Sequence, residues 1–166
     1  MLTGSFAGAY HGVPRATQDI DLVVDPTKEQ LTALVRALPA SEYYVDEAAA
    51  LEALRQRGQF NVIDLDSGWK IDFILRKSRP FSEAEFARRI QVTFHALPVN
   101  VATVEDLIVA KLEWARLGES RRQIDDVTSL LRVRGPDLDR EYLSGWIHQL
   151  CLEKEWSMAA KAAGLS

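Results

Sequence analysis

Three aspartates carry the chemistry that this sequence suggests first. Asp19 and Asp21 stand two apart in the run Asp19-Ile20-Asp21-Leu22-Val23-Val24. In a strand, residues i and i+2 point to the same face, so the two carboxylates project together. Carboxylates so placed repel each other unless a cation or a proton sits between them. Oxygen ligands of this kind suit Mg²⁺ or Mn²⁺ rather than zinc. Asp72 lies mid-strand in Trp69-Lys70-Ile71-Asp72-Phe73-Ile74-Leu75, an expensive place for an unpaired charge. Joining the same cluster from an adjacent strand would reconcile this. Three carboxylates can hold two divalent ions, one activating an attacking hydroxyl and one holding a triphosphate and its leaving group. Asp19 and Asp21 are then candidate ligands to both ions. Asp72 is a candidate ligand to the activating ion and a candidate base. Asp64 is the rival for the third position, while Asp66 reads as a turn former. An Asp-x-Asp pair is also common on exposed strand edges, so the pair alone decides nothing.

Candidate phosphate ligands surround the pair. In Gly4-Ser5, backbone N–H groups and one hydroxyl could close on phosphate oxygens, helped by a helix N-terminus. Arg15 and Thr17 lie just ahead of the first aspartate, and Arg15 could reach a phosphate or a carboxylate.

The elements that must position these residues follow from periodicity. Ser5 to Tyr10 could open a short helix, broken by Gly12 and Pro14. Residues 19–24 read as a strand ended by Asp25-Pro26. Leu31, Leu34, Val35 and Leu38 have helical spacing over Lys28 to Leu38. A second helix is expected over Asp46 to Arg57. Residues 60–65 and 69–75 flank Asp66-Ser67-Gly68 and predict a β-hairpin. A short helix over Phe81 to Arg89 precedes two strand candidates, Gln91 to Phe94 and Leu97 to Val101. From Thr103 the character is helical. Thr103 with Asp106 resembles a capping box. Further helices are expected over Ser120 to Arg132, Asp139 to Leu150 and Glu153 to Ala163. The fold class is therefore α+β: residues 1–102 form a mixed α/β core, and residues 103–166 form C-terminal helices expected to pack on it.

Composition narrows the setting. The 166 residues suit one domain, or one domain with a small appended part. The net charge of −4 excludes nucleic-acid binding by bulk charge, so any such partner needs a local patch. Arg76, Lys77, Arg79, Arg88 and Arg89 could form one, although a solvated face is the commoner meaning of such a run. The single cysteine, Cys151, allows no internal disulfide and reads as a small buried hydrophobe. Trp114, Trp146 and Trp156 read as core or interface. No secretory signal and no run of membrane-spanning length is evident, which predicts a cytoplasmic protein.

The segment from Gly4 to Leu22 resembles the signature of the DNA polymerase β-like nucleotidyltransferase superfamily. It is most similar to the bacterial stand-alone branch that includes abortive-infection toxins. The shared pattern is Gly-Ser, a short helix ending in His11-Gly12, then Arg15-x-Thr17-x-Asp19-x-Asp21. Val104 to Leu112 resembles the family's helix whose lysine projects to the active site. The resemblance thus implies that Lys111 contacts the triphosphate. Arg121 to Leu131 resembles a helix whose Asp126 would orient that lysine. His11 is expected to be structural. Two departures stand out. Relatives carry an acid where this chain has Gln123, and they have a helix and a strand start before Gly-Ser. An uncovered edge there could drive homodimerisation.

The resemblance implies the nucleotidyltransferase fold and transfer of a nucleoside monophosphate from an NTP to a hydroxyl of RNA, protein or a small molecule. It also implies a toxin with an antitoxin partner. The alternative is a catalytically inactive relative that binds a nucleotide or a protein.

Overall fold

The structure is a computed structural model that describes residues 1–118 and 120–165. It divides into two compact units. The first comprises residues 1–5 and 16–101, and the second residues 6–15 and 102–165. Residues 6–15, read from sequence with the first part, thus cluster with the second.

The first unit is built on a four-stranded mixed sheet of β1 (Asp19–Val24), β2 (Tyr43–Tyr44), β3 (Gln59–Asp64) and β4 (Lys70–Leu75), in the order β1-β4-β3-β2. β1 and β4 are parallel, and the other neighbours are antiparallel. The β3–β4 hairpin is the one expected. Asp64 makes its turn, accepting on Oδ1 from the amides of Asp66 and Ser67 at 3.0 and 2.9 Å. Asp64 is thereby committed to the backbone, which removes it as a rival to Asp72. The two-residue β2 has too little periodicity to announce itself in sequence.

Alternation divides the sheet into two faces. Phe60, Val62, Ile71, Phe73 and Leu75 point to one side, where they pack with Leu31, Val35, Ala50 and Ala53. Those partners come from α2 (Lys28–Ala37) and α3 (Glu47–Gln56). The first turn of α2 is fixed by a full capping box between Thr27 and Gln30, and that of α3 by the Asp46 carboxylate on the Ala49 amide. With one face committed to this core, Asp19, Asp21 and Asp72 are left on the other. Residues 1–3 run along the free side of β1, where Val23 N–H donates to Met1 O at 2.8 Å and Thr3 N–H to Asp21 O at 3.0 Å. Leu2 also bridges to Val101, in the antiparallel pair β5 (Ile90–Phe94) and β6 (Leu97–Val101). Residues 1–3 therefore partly cover the β1 edge that the sequence reading left open.

The basic run after the hairpin is largely occupied. Arg76 donates twice to Asp25 Oδ2, at 2.9 and 2.7 Å, and Arg57 reaches Asp25 Oδ1 at 2.5 Å. Burial alone would raise the Asp25 pKa, but these two guanidiniums hold it below the ordinary value. Arg79, at the start of α4 (Pro80–Arg88), donates to Ser82 Oγ, and the Arg89 guanidinium lies over the Phe86 ring.

The second unit is helical: α5 (Val104–Gly118), α6 (Arg121–Arg134), α7 (Arg140–Gln149) and α8 (Glu153–Ala163). Leu107, Ile108, Leu112, Leu130, Leu131, Leu143 and Leu152 are fully buried. Thr103 caps α5 through its hydroxyl, the half of the expected capping box that runs from the side chain to the Asp106 amide. The Thr103 hydroxyl accepts from the Asp106 amide and donates to Asp106 Oδ2 at 2.6 Å, and Tyr142 Oη donates to Oδ1 at 2.5 Å. Asp106 is thus a fully buried carboxylate supplied by two hydroxyls, Thr103 just ahead of α5 and Tyr142 on α7.

One expectation fails here. Cys151 is exposed, because the chain leaves α7 through a left-handed residue at that position (φ 54°) and Leu152 takes the buried place. Trp114 is half exposed, so of the two places expected for it, core or interface, the core is excluded. Among the described residues, no helix is long and apolar enough to cross a membrane.

Candidate active site

In the parallel register, Asp19 pairs with Lys70 and Asp21 with Asp72. Four side chains therefore share one patch of the sheet face opposite the apolar core. Lys70 Nζ lies 3.3 Å from Asp19 Oδ1 and 2.9 Å from Asp72 Oδ2. Asp72 holds the ammonium above the ordinary lysine pKa, a rise that burial only partly offsets. Asp72 is the most enclosed of this ion trio, with a side chain 16% exposed, against 51% for Asp19.

The chain entering α1 (Gly4–Tyr10) is pressed against the same patch. A Cβ on Gly4 would stand 1.8 Å from Asp21 Oδ2 and 2.6 Å from its Cγ, and Gly4 has φ +59°. Both the close approach and the left-handed conformation require glycine. Ser5 is buried beside it. Thr17 shapes the entry to β1: its Oγ1 accepts from the Asp19 amide at 3.1 Å and donates to the Asp19 carbonyl at 3.3 Å.

The second unit holds the other basic candidates. Lys111 is buried on α5, and its Nζ donates to Asp126 Oδ2 at 2.6 Å and to Gln123 Oε1 at 3.2 Å. Arg15 Nε lies 3.5 Å from the same carboxylate oxygen. Asp126 is therefore a shared counter-ion for two cations. His11, just after α1, is also buried. Its Nε2 is 2.8 Å from Ala102 O, so this nitrogen carries the proton. Its Nδ1 is buried without a partner. Burial lowers the His11 pKa, and the nearby Arg134 charge lowers it further, against opposing effects of the Ala102 hydrogen bond and Glu105. His11 is structural, as expected.

Residues 2–155 match the family described as nucleotidyl transferase AbiEii toxin, type IV TA system. The chain belongs to the AbiEii nucleotidyl transferase toxin family. Its fold is similar to that of an antigenic nucleotidyltransferase-like protein from Paracoccidioides brasiliensis, with a TM-score of 0.55 and 18% identity. That alignment covers 97% of this chain and 83% of the other. No curated protein matches. The resemblance read from Gly4 to Leu22 is thereby placed in a named family, and the α+β nucleotidyltransferase fold is shown.

In this AbiEii chain, Gly4, Asp19, Asp21 and Asp72 come together on the first unit, while Arg15 and Lys111 meet on the second. Among the described residues, no three His, Cys, Asp or Glu side chains stand in an arrangement ready to hold a metal ion. Lys70 is the group that sequence reasoning missed. Its signal was available, since it shares strand parity with Asp72. Gln123 was read only as a departure, yet its amide oxygen accepts from Lys111.

Proposed function

We propose that this chain is an active nucleotidyltransferase that moves a nucleoside monophosphate from an NTP to an acceptor hydroxyl, acting as a toxin held in check by an antitoxin. The observation that carries the reading is the patch of Asp19, Asp21 and Asp72 on the sheet face opposite the apolar core, with Gly4 pressed against Asp21. The donor set fits Mg²⁺ or Mn²⁺, being oxygen-only, and a positive charge is favoured there, since the Lys70 ammonium already bridges two of the three carboxylates. When bound, such an ion supplies Lewis acidity and charge neutralisation to phosphoryl chemistry.

The chain's own residues do the rest. Asp19, Asp21 and Asp72 would hold the ion. Asp72, more enclosed than Asp19, takes the acceptor's proton on a carboxylate oxygen. The acceptor oxygen then bonds to the α-phosphorus, the bond to the bridging oxygen breaks, and pyrophosphate leaves. Gly4 and Ser5 offer backbone N–H groups and a hydroxyl to phosphate. Lys111 and Arg15 are the cationic phosphate ligands, their positions steadied by Asp126. Thr17 contributes by fixing the backbone of Asp19. The acceptor is a hydroxyl of RNA, protein or a small molecule. The setting is the cytoplasm, and a homodimer remains part of the proposal.

The test is transfer of label from each α-labelled NTP, with Mg²⁺ or Mn²⁺, to total RNA and to cell extract. Label that moves with the wild type but not with Asp19→Asn or Asp21→Asn supports the reading and identifies the acceptor class. Transfer that survives both substitutions overturns the site. No transfer, with the protein still stabilised by NTP, leaves a nucleotide-binding module instead.

A further inference from the structure

Lys70 and Asp72 share a face of β4, as Asp19 and Asp21 share a face of β1. The register completes a two-by-two patch of three carboxylates and one ammonium. The ammonium does not point away from the acids. It contacts Asp19 Oδ1 and Asp72 Oδ2, oxygens from both strands and from both rows of the patch. These are oxygens that a hard divalent cation would also use. The distances of 3.3 and 2.9 Å are those of an ion pair and a hydrogen-bonded ion pair.

We propose that Lys70 is a built-in counter-ion that competes with the divalent metal for Asp19 and Asp72. It holds the metal-free patch together and sets the metal affinity. The inference rests on the metal-site reading above and adds a residue to it. Without Lys70, the Asp19 and Asp72 carboxylates would face each other across two adjacent strands as like charges, an arrangement that repels itself. With it, the acids stay in register and one positive charge must leave before an ion can take Asp19 and Asp72 together. Lysine suits the task. Its charge is a point on a flexible stem with rotatable donors, so it can withdraw. The side chain is already 36% exposed, which gives it water to withdraw into. An arginine would grip with a fork and yield less readily.

The experiment is a Mn²⁺ titration of the whole chain, with free Mn²⁺ read by electron paramagnetic resonance, for wild type, Lys70→Gln, Lys70→Arg and Asp19→Asn. Thermal melts are run with and without Mn²⁺. Removing one unit charge from beside a hydrated site should tighten Mn²⁺ binding by Lys70→Gln about tenfold. Lys70→Arg keeps the charge and should bind no more tightly than wild type. In metal-free buffer Lys70→Gln should melt below wild type, and Mn²⁺ should raise its Tm more. Unchanged or weaker Mn²⁺ binding by Lys70→Gln overturns the proposal, as does tighter binding by Lys70→Arg. If Lys70→Gln does not fold, Lys70→Met keeps the stem and carries the same expectation, while Lys70→Arg still decides. Wild-type protein that takes up no Mn²⁺ sensitive to Asp19→Asn overturns the metal-site reading itself and this inference with it.

Discussion

Replacing Gly4 with alanine places a methyl group where the structure has the Asp21 carboxylate. The added Cβ would stand 1.8 Å from Oδ2, 2.6 Å from Cγ and 2.9 Å from Cβ of Asp21, so Asp21 has to move. Two costs add. Holding alanine at φ +59° costs about 1–2 kcal/mol. Driving Asp21 off its rotamer costs a further 0.5–1.5 kcal/mol or so. A loss of about 2–3 kcal/mol follows, which at a urea m-value of about 2 kcal/mol per M lowers the unfolding midpoint by roughly 1–1.5 M. The assay is urea unfolding of wild type, Gly4→Ala, Asp21→Ala and the double variant. In the Asp21→Ala background the Oδ2 and Cγ contacts are gone and only the 2.9 Å approach to Cβ stays, so the penalty of Gly4→Ala should fall towards the backbone part, about 1–2 kcal/mol. A Gly4→Ala cost within about 0.5 kcal/mol, the range of an ordinary surface substitution, would refute the close approach. An equal cost in both backgrounds would leave the backbone strain standing and refute the contact.

Two further expectations concern the second unit. Asp126→Ala strips the carboxylate from buried Lys111 and from Arg15, and should cost about 3–5 kcal/mol by chemical denaturation; Asp126→Asn, which keeps an oxygen for Lys111, should cost less. His11 makes stability sensitive to pH. Its folded pKa lies below its unfolded value of 6.5, so above that pH both states are neutral and its contribution is constant. Below it the unfolded state takes up the proton first and stability falls as the pH drops, because a proton on Nδ1 would have no acceptor. His11→Gln should flatten that part of the slope in urea midpoints measured at about pH 7.5, 6.5 and 5.5, and a slope identical to wild type would remove His11 as its source.

Much of the fold could be read directly because its signals are local. Alternation in residues 19–24 and 69–75, the turn at Asp66-Ser67-Gly68 and the helical spacing of Leu31 and Val35 each belong to one short window. The sharing of one face by Asp19 and Asp21 is of the same kind. The pairing of Asp21 with Asp72 is different. It depends on a parallel ladder between segments far apart in sequence, and no local pattern sets that register. Lys70 was overlooked for a chemical reason: a search for metal ligands passes over a cation, although parity places it beside Asp72. Cys151 misled because an apolar neighbourhood predicts burial, whereas the left-handed turn that closes α7 turns it outward. Asp126 was legible only through resemblance to relatives, since nothing in a helix sequence shows what lies across from it.

The strands that carry the aspartates are adjacent in the sheet, yet the chain travels through residues 25–69 between them. Within that excursion α2 and α3 pack against the apolar face, while β2 and β3 extend the sheet itself. Its loops can lengthen, shorten or change composition over evolutionary time while the register of β1 on β4 is untouched. Within this unit, the acidic patch is thus insulated from variation in its connecting chain. The opposite holds for a single-residue insertion within β1 or β4, which would turn an aspartate into the hydrophobic layer.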